Sequence, residues 1–271
     1  MTGERGAGCC AGAHVFIAST GKSAEPILGQ PMILRQLERL THCSSLSGIV
    51  VATSTDKQDD QLASVVQDAG WTVIRGPQDD VLARFVTVVE EQSAVAVARL
   101  TADCPLISPT VVDQVVRTYV SANVDYVSNT LEPTYPDGLD VEVVRTEALL
   151  RIAAESTDPH EREHVTLGLY RRPDQFRIQS FTDPSGRNHS NLRWTVDNPE
   201  DLVFVRNVYS ALESTQPLFD YDDILRWLEH NPQLTRTSDD APRNTALDGL
   251  DTGVMRHPGN RNGLNDDGNA R

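Results

Sequence analysis

Between His14 and Ser128 the chain alternates short apolar runs with amphipathic ones four times over, and this rhythm restricts the fold more than any other feature. The strand-length runs are 14–18, 48–53, 71–75 and the stretch from Ala94 to Asp103, with a further one at 125–128. Helical spacing follows each of them: Ile33, Leu34, Leu37 and Leu40 after Met32; Leu62, Val65, Val66 and Ala69 before a C-terminal Gly70; Val81, Leu82, Phe85, Val88 and Val89 behind Asp79 or Asp80; and Val111, Val112, Val115, Val116 and Tyr119 behind Ser108-Pro109. Runs without a wet face suit strands buried on both sides. Strands alternating with helices give parallel sheets with right-handed crossovers. The expected fold class is α/β: a mainly parallel sheet with helices on both faces.

After residue 130 the rhythm changes. Tyr135-Pro136-Asp137-Gly138 reads as a turn, 139–144 as a strand with one wet face, 146–155 and 159–172 as helices and 176–181 as a strand, so 131–191 is expected to be a small β-containing insertion. Leu192-Arg193-Trp194-Thr195-Val196 then reads as a strand ending at Asp197, followed by a helix opened by Asn198-Pro199 and a last helix over 221–230. Residues 1–13 are expected to form a flexible leader and 235–271 a disordered tail, which leaves one domain over 14–234.

The 271 residues carry a net charge of -15, which repels phosphate backbones and argues against nucleic-acid binding. No apolar run reaches the roughly 20 residues of a membrane span, so a cytoplasmic protein without membrane association is expected. Cys9, Cys10, Cys43 and Cys104 have no framework or metal-ligand spacing and read as reduced thiols, Cys104 as a small buried residue.

Asp103 ends an apolar strand, and Pro105 stops the strand from continuing. In open α/β sheets ligands bind outside the carboxyl ends of the strands, so this carboxylate reads either as a metal or phosphate-site residue or as a cap of the next turn. Asp197 repeats the pattern, with Pro199 behind it. Two carboxylates at one sheet edge suit Mg²⁺, which fills the rest of its octahedron with phosphate oxygens and water.

Ser19-Thr20-Gly21-Lys22-Ser23 contains half of a P-loop, but Phe16 stands where that motif needs glycine and Pro26, Gly29 and Pro31 where it needs a helix. The loop reads as a phosphate cradle through Ser19, Gly21 and Lys22, or as a surface turn. Arg75, Arg84, Arg99 and Arg193 stand near strand ends or helix starts, facing a triphosphate or paired within the fold. Tyr135, Asp137, Asp140 and Glu142 read as a loop contacting an acceptor, or as a hairpin. Glu161 and His164, three apart, have no second pair and read as an amphipathic helix or a dimer contact rather than a metal site.

Gly29-Gln30-Pro31-Met32, Val50-Val51-Ala52-Thr53-Ser54, Arg75-Gly76, Asp79-Asp80-Val81-Leu82-Ala83-Arg84-Phe85, Leu100-Thr101-Ala102-Asp103-Cys104-Pro105-Leu106-Ile107, Asp125-Tyr126-Val127-Ser128-Asn129, Tyr135 to Glu142, Glu161-Arg162-Glu163-His164-Val165 and Leu192-Arg193-Trp194-Thr195-Val196-Asp197 resemble, in order, the spore coat polysaccharide biosynthesis protein F group of cytidylyltransferases. These are relatives of the enzymes that make CMP-acylneuraminate and CMP-Kdo. The resemblance, over roughly residues 14–230, implies a nucleotide-diphospho-sugar transferase-like fold and Mg²⁺-dependent transfer of CMP from CTP to an acidic sugar or related acceptor, with release of pyrophosphate. It implies that Asp103 and Asp197 hold Mg²⁺, that Lys22 holds the triphosphate and acts in catalysis with Arg84, that Ser19, Gly21, Arg75 and Arg99 serve CTP, and that Tyr135, Asp137, Asp140, Glu142 and Arg193 serve the acceptor. It also implies a possible homodimer. The first loop departs from the family, lacking both of its usual arginines. Two alternatives therefore stay open: a sugar-nucleotide-dependent glycosyltransferase, against which Asp103-Cys104-Pro105 is not an Asp-x-Asp motif, and a non-catalytic family member.

Overall fold

A computed structural model describes residues 13–18 and 24–240. Expectations for 1–12, for the loop residues 19–23 and for 241–271 lie outside the described residues. The strands are β1 (Ala13–Ala18), β2 (Pro26–Ile27), β3 (Gln30–Pro31), β4 (Leu46–Ser54), β5 (Thr72–Gly76), β6 (Ala96–Thr101), β7 (Tyr126–Ser128), β8 (Glu142–Arg145) and β9 (Ile178–Ser180). The helices are α1 (Met32–Leu40), α2 (Asp60–Asp68), α3 (Val81–Gln92), α4 (Pro109–Ala122), α5 (Thr146–Glu155), α6 (Pro159–Glu163), α7 (Leu167–Tyr170), α8 (Pro199–Leu212) and α9 (Tyr221–His230).

Seven strands form one sheet in the order β5-β4-β1-β6-β8-β7-β9, and β2 and β3 form a separate hairpin. Parallel pairing joins β1 to β4 and β6, β4 to β5 and β7 to β9, as the alternation requires. Helices begin where the sequence caps them: Asp80 accepts from the Ala83 N–H at 2.9 Å, and Ser108 from the Val111 N–H at 3.1 Å with Pro109 in the first turn. In β1, Val15 and Ile17 enter one apolar cluster with α1, α4, α8 and α9, while Phe16 enters a second on the opposite face with α3 and α5. This is period-two burial with helices on both sides of the sheet.

Four expectations need correction. The strand expected over 139–144 to have one wet face is dry on both, because β8 enters the sheet between β6 and β7 and runs antiparallel to both. Val143 and Val144 are fully buried, one in each cluster, and only a central strand has two dry faces. The helix expected over 159–172 breaks at Val165, whose φ of 38° no continuing helix accommodates, giving α6 and α7.

The strand expected over 192–196 is absent. Its backbone donors reach different stretches, Trp194 bonding the Asp137 carbonyl at 2.6 Å, Arg193 the Arg236 carbonyl at 3.0 Å and Val196 the Asp103 carbonyl at 2.8 Å, so no continuous ladder forms. Finally, 235–240 does not belong to a disordered tail. Thr237 bridges Leu192, and the Ser238 N–H bonds the Asn191 carbonyl at 2.8 Å.

Candidate active site

The carboxyl ends of β1, β4 and β6 open at the same edge as the amino end of the antiparallel β8, so the loops after β6 and before β8 meet there. Asp103 follows β6 directly in the loop. Its carbonyl accepts from the Val196 N–H at 2.8 Å and from Thr195 Oγ1 at 3.3 Å, which brings the segment bearing Asp197 beside it. Its carboxylate Oδ1 lies 3.2 Å from the Cys104 thiol, which in turn lies 3.3 Å from Thr101 Oγ1. Burial pushes that thiol far above its ordinary range, and the charge of Asp103 adds to the effect, as does that of Asp140. Cys104 is buried, as the sequence implies, and the charges of Asp103 and Asp140 both keep its thiol protonated.

Asp197 is held differently. Its carboxylate takes a hydrogen bond from Arg193 Nη2, and Arg193, 2% exposed, also donates to Asp137 at 3.2 Å and to Asp201 at 3.1 Å. Burial alone would lower the Arg193 pKa; its bonds to Asp201 and Asp197 and their charges reverse the sign and raise it. Asp201 accepts as well from the N–H groups of Asp197 at 3.1 Å and Asn198 at 3.2 Å, closing a capping box at the start of α8. Gly138, at φ 107°, lets the 137–142 loop lie against this segment, because a Cβ there would sit 2.6 Å from the Thr195 nitrogen.

The remaining expected residues distribute unevenly. Ser19, Gly21 and Lys22 lie outside the described residues. Arg75, expected at the nucleotide, bonds the Ser54 carbonyl at 2.7 Å and pairs with Asp60 at 2.7 Å. Arg84, expected in catalysis, is buried and donates to the carbonyls of Ala52, Pro77 and Gln78, a scaffold role that fixes the ends of β4 and β5. Arg99 and Glu142, expected at CTP and acceptor respectively, pair with each other across β6 and β8, and Tyr126 and Thr166 also donate to that carboxylate. Tyr135 is buried, stacked on Phe181 at 6.2 Å and edge-on to Tyr221 at 5.5 Å, so it packs into the core. Asp137 and Arg193 pair with each other. Glu161 is occupied by Ser156, Arg171 and Arg172.

Sequence reasoning missed two members of the site. Asp201 carried a signal, an acid three residues after the Asn198 cap; Arg236 carried none, because its partners lie on distant segments. Among the described residues no three His, Cys, Asp or Glu side chains are grouped to hold a metal alone, and no helix is long and apolar enough to cross a membrane.

Residues 20–225 match the sequence profile of the cytidylyltransferases. The chain belongs to the cytidylyltransferase family. Spore coat polysaccharide biosynthesis protein SpsF of Bacillus subtilis is 29% identical over 185 residues, 68% of this chain and 75% of that one. A cytidylyltransferase of Leptospira borgpetersenii superposes with a TM-score of 0.76 at 24% identity, covering 83% of this chain and 96% of that one. A CMP:2-keto-3-deoxy-manno-octonic acid synthetase solved with CTP superposes with a TM-score of 0.57 at 18% identity, over 74% and 99%. The fold is thus the nucleotidyltransferase α/β fold, and the chain is a nucleotidyltransferase.

Proposed function

We propose that this cytidylyltransferase moves CMP from CTP to an acidic sugar or related acceptor, releases pyrophosphate and works with Mg²⁺ at Asp103 and Asp197. The observation that carries the reading is the Val196 N–H to Asp103 carbonyl bond, which joins the two carboxylate-bearing segments at the ligand-binding edge of the sheet. Two carboxylates, with no third His, Cys, Asp or Glu grouped with them among the described residues, suit a Mg²⁺ that completes its shell from a triphosphate. When bound, the ion neutralises phosphate charge.

The chain's own part is positioning. An acceptor hydroxyl oxygen attacks the α-phosphorus, its proton passes to water, the new P–O bond forms as the α–β bridge breaks, and pyrophosphate leaves with the electron pair. Lys22 meets the triphosphate, while Asp140 and its loop face the acceptor. Arg84 fixes the carbonyls of Ala52, Pro77 and Gln78 at the ends of β4 and β5. The relatives' names supply the substrate classes: CTP and a keto-acid sugar in one, polysaccharide biosynthesis in the other.

The test is pyrophosphate release from CTP and Mg²⁺ with a panel of acidic sugars that includes 2-keto-3-deoxy-manno-octonic acid. Asp103→Ala and Asp197→Ala are expected to lower the rate by on the order of 10²–10³ or more. Wild-type rates in both variants would overturn the assignment.

A further inference from the structure

The profile of the family ends at residue 225, yet the chain past α9 returns to the site. The Arg193 N–H bonds the Arg236 carbonyl at 3.0 Å, Thr237 bridges Leu192, and the Ser238 N–H bonds the Asn191 carbonyl at 2.8 Å. This strap carries the Arg236 guanidinium onto Asp201 Oδ1, with Nη2 at 3.2 Å and Nε at 3.3 Å. Asp201 is 1% exposed and stands between two guanidinium groups, Arg236 on one side and Arg193 on the other.

We propose that Arg236 is a positioning residue for Asp197, acting through Asp201 and Arg193. The inference rests on the metal reading of Asp197 given above.

The argument is one of sharing. Arg193 serves Asp137, Asp197 and Asp201 at once, and it can divide itself this way because Arg236 meets part of the demand of the buried Asp201. Remove Arg236, and Oδ1 of a buried carboxylate loses its fork from that side. Arg193 already holds both oxygens of Asp201 through Nε at 3.3 Å, and its Nη2, shared between Asp201 and Asp197, then goes over to Asp201 alone, since a charge in the interior costs more unpaired than one at the surface. Asp197, 57% exposed, is released and samples other rotamers. A bare charge effect has the opposite sign: loss of a cation makes the edge more negative and strengthens divalent binding.

That opposition makes the test decisive. The full chain is titrated with Mn²⁺–CTP, followed by water-proton relaxation enhancement. Arg236→Gln is expected to weaken binding about tenfold, the lower range for groups that orient a metal ligand. Arg236→Lys, which keeps the charge and loses the fork, recovers only part of it. Unchanged or tighter binding in Arg236→Gln overturns the proposal, including the case in which only the melting temperature falls. If Arg236→Gln does not fold, Arg236→Lys decides, with about threefold weaker binding as support and wild-type binding as refutation. Asp197→Asn separates the two levels. If it loses Mn²⁺–CTP while Arg236→Gln does not, the inference alone fails; if it binds like wild type, or the wild-type chain binds no Mn²⁺–CTP, the metal reading fails and takes the inference with it.

Discussion

The loop after β6 and the segment 192–201 meet at one edge of the sheet, yet they are built on different principles. Asp103 sits in a turn defined by its own neighbours: a strand before it, Pro105 after it, and a thiol one residue away that donates to its carboxylate. Asp197 sits in no strand, and its position derives from Arg193, Asp201 and Arg236, which come from before α8, from its first turn and from beyond α9. The side chain of one carboxylate meets its own neighbour in the chain, with a backbone bond tying its turn to the other segment, while the side chain of the other is held by a buried charge network. The first should therefore tolerate loss of its polar contacts, and the second should not.

The largest effect expected from this difference is in stability. Arg193→Met leaves Asp137 and the buried Asp201 without their shared cation, and breaking a buried pair from one side costs about 3–5 kcal/mol. Asp103→Asn, by contrast, removes a charge that among the described residues accepts from a thiol alone, and surface-type changes of this kind stay within about 0.5 kcal/mol. Urea unfolding of both variants measures the contrast. Equal losses would show that the two loops are not held differently after all.

The same contrast explains what could be read in the sequence. The strand and helix alternation, the Ser108 and Asp80 caps and the placing of Asp103 all rest on residues near one another in the chain, and they stand where the pattern puts them. Residues 192–196 imitate a strand because Leu192, Trp194 and Val196 are apolar in alternation. Their N–H groups instead serve several separate segments, which no local pattern encodes. The two readings of the arginines stayed open for a related reason. A cation near a strand end looks identical in sequence whether it awaits a phosphate or, like Arg84, fixes three carbonyls, or, like Arg99, neutralises Glu142. Likewise β8 joins the sheet centre because Val143 and Val144 both need dry surroundings, although Asp140 and Glu142 beside them suggest a wet face.

An intermediate effect should appear with pH. Burial would raise the Asp201 pKa, but its bonds from Arg193 and from the Asp197 N–H outweigh that and lower it below the ordinary value. A carboxylate lowered on folding stabilises above its unfolded pKa of about 3.9 and loses that contribution as pH falls through the folded value. The stability gap between the wild type and Asp201→Asn is therefore expected to be full at pH 7 and to narrow as the pH drops below about 4. Urea midpoints at a series of pH values measure it. A gap that stays constant to pH 3 would remove the charge network as the source of the order around Asp197.

The smallest effect belongs to the other loop and probes its independence from charge. Cys104 is buried, its thiol is held protonated, and it links Thr101 to the Asp103 carboxylate. Cys104→Ala removes that link and a buried sulfur, with an expected loss of about 1 kcal/mol, the net worth of a single hydrogen bond. Cys104→Ser retains a donor of similar size and should fall within about 0.5 kcal/mol of wild type. The rest of the loop is fixed by backbone bonds, including the one from Ile107 N–H to the Cys104 carbonyl at 3.1 Å, which neither variant disturbs. If Cys104→Ala instead costs as much as Arg193→Met, the turn after β6 depends on its side-chain contacts as heavily as segment 192–201 does, and Asp103 and Asp197 would be placed by the same kind of buried polar network.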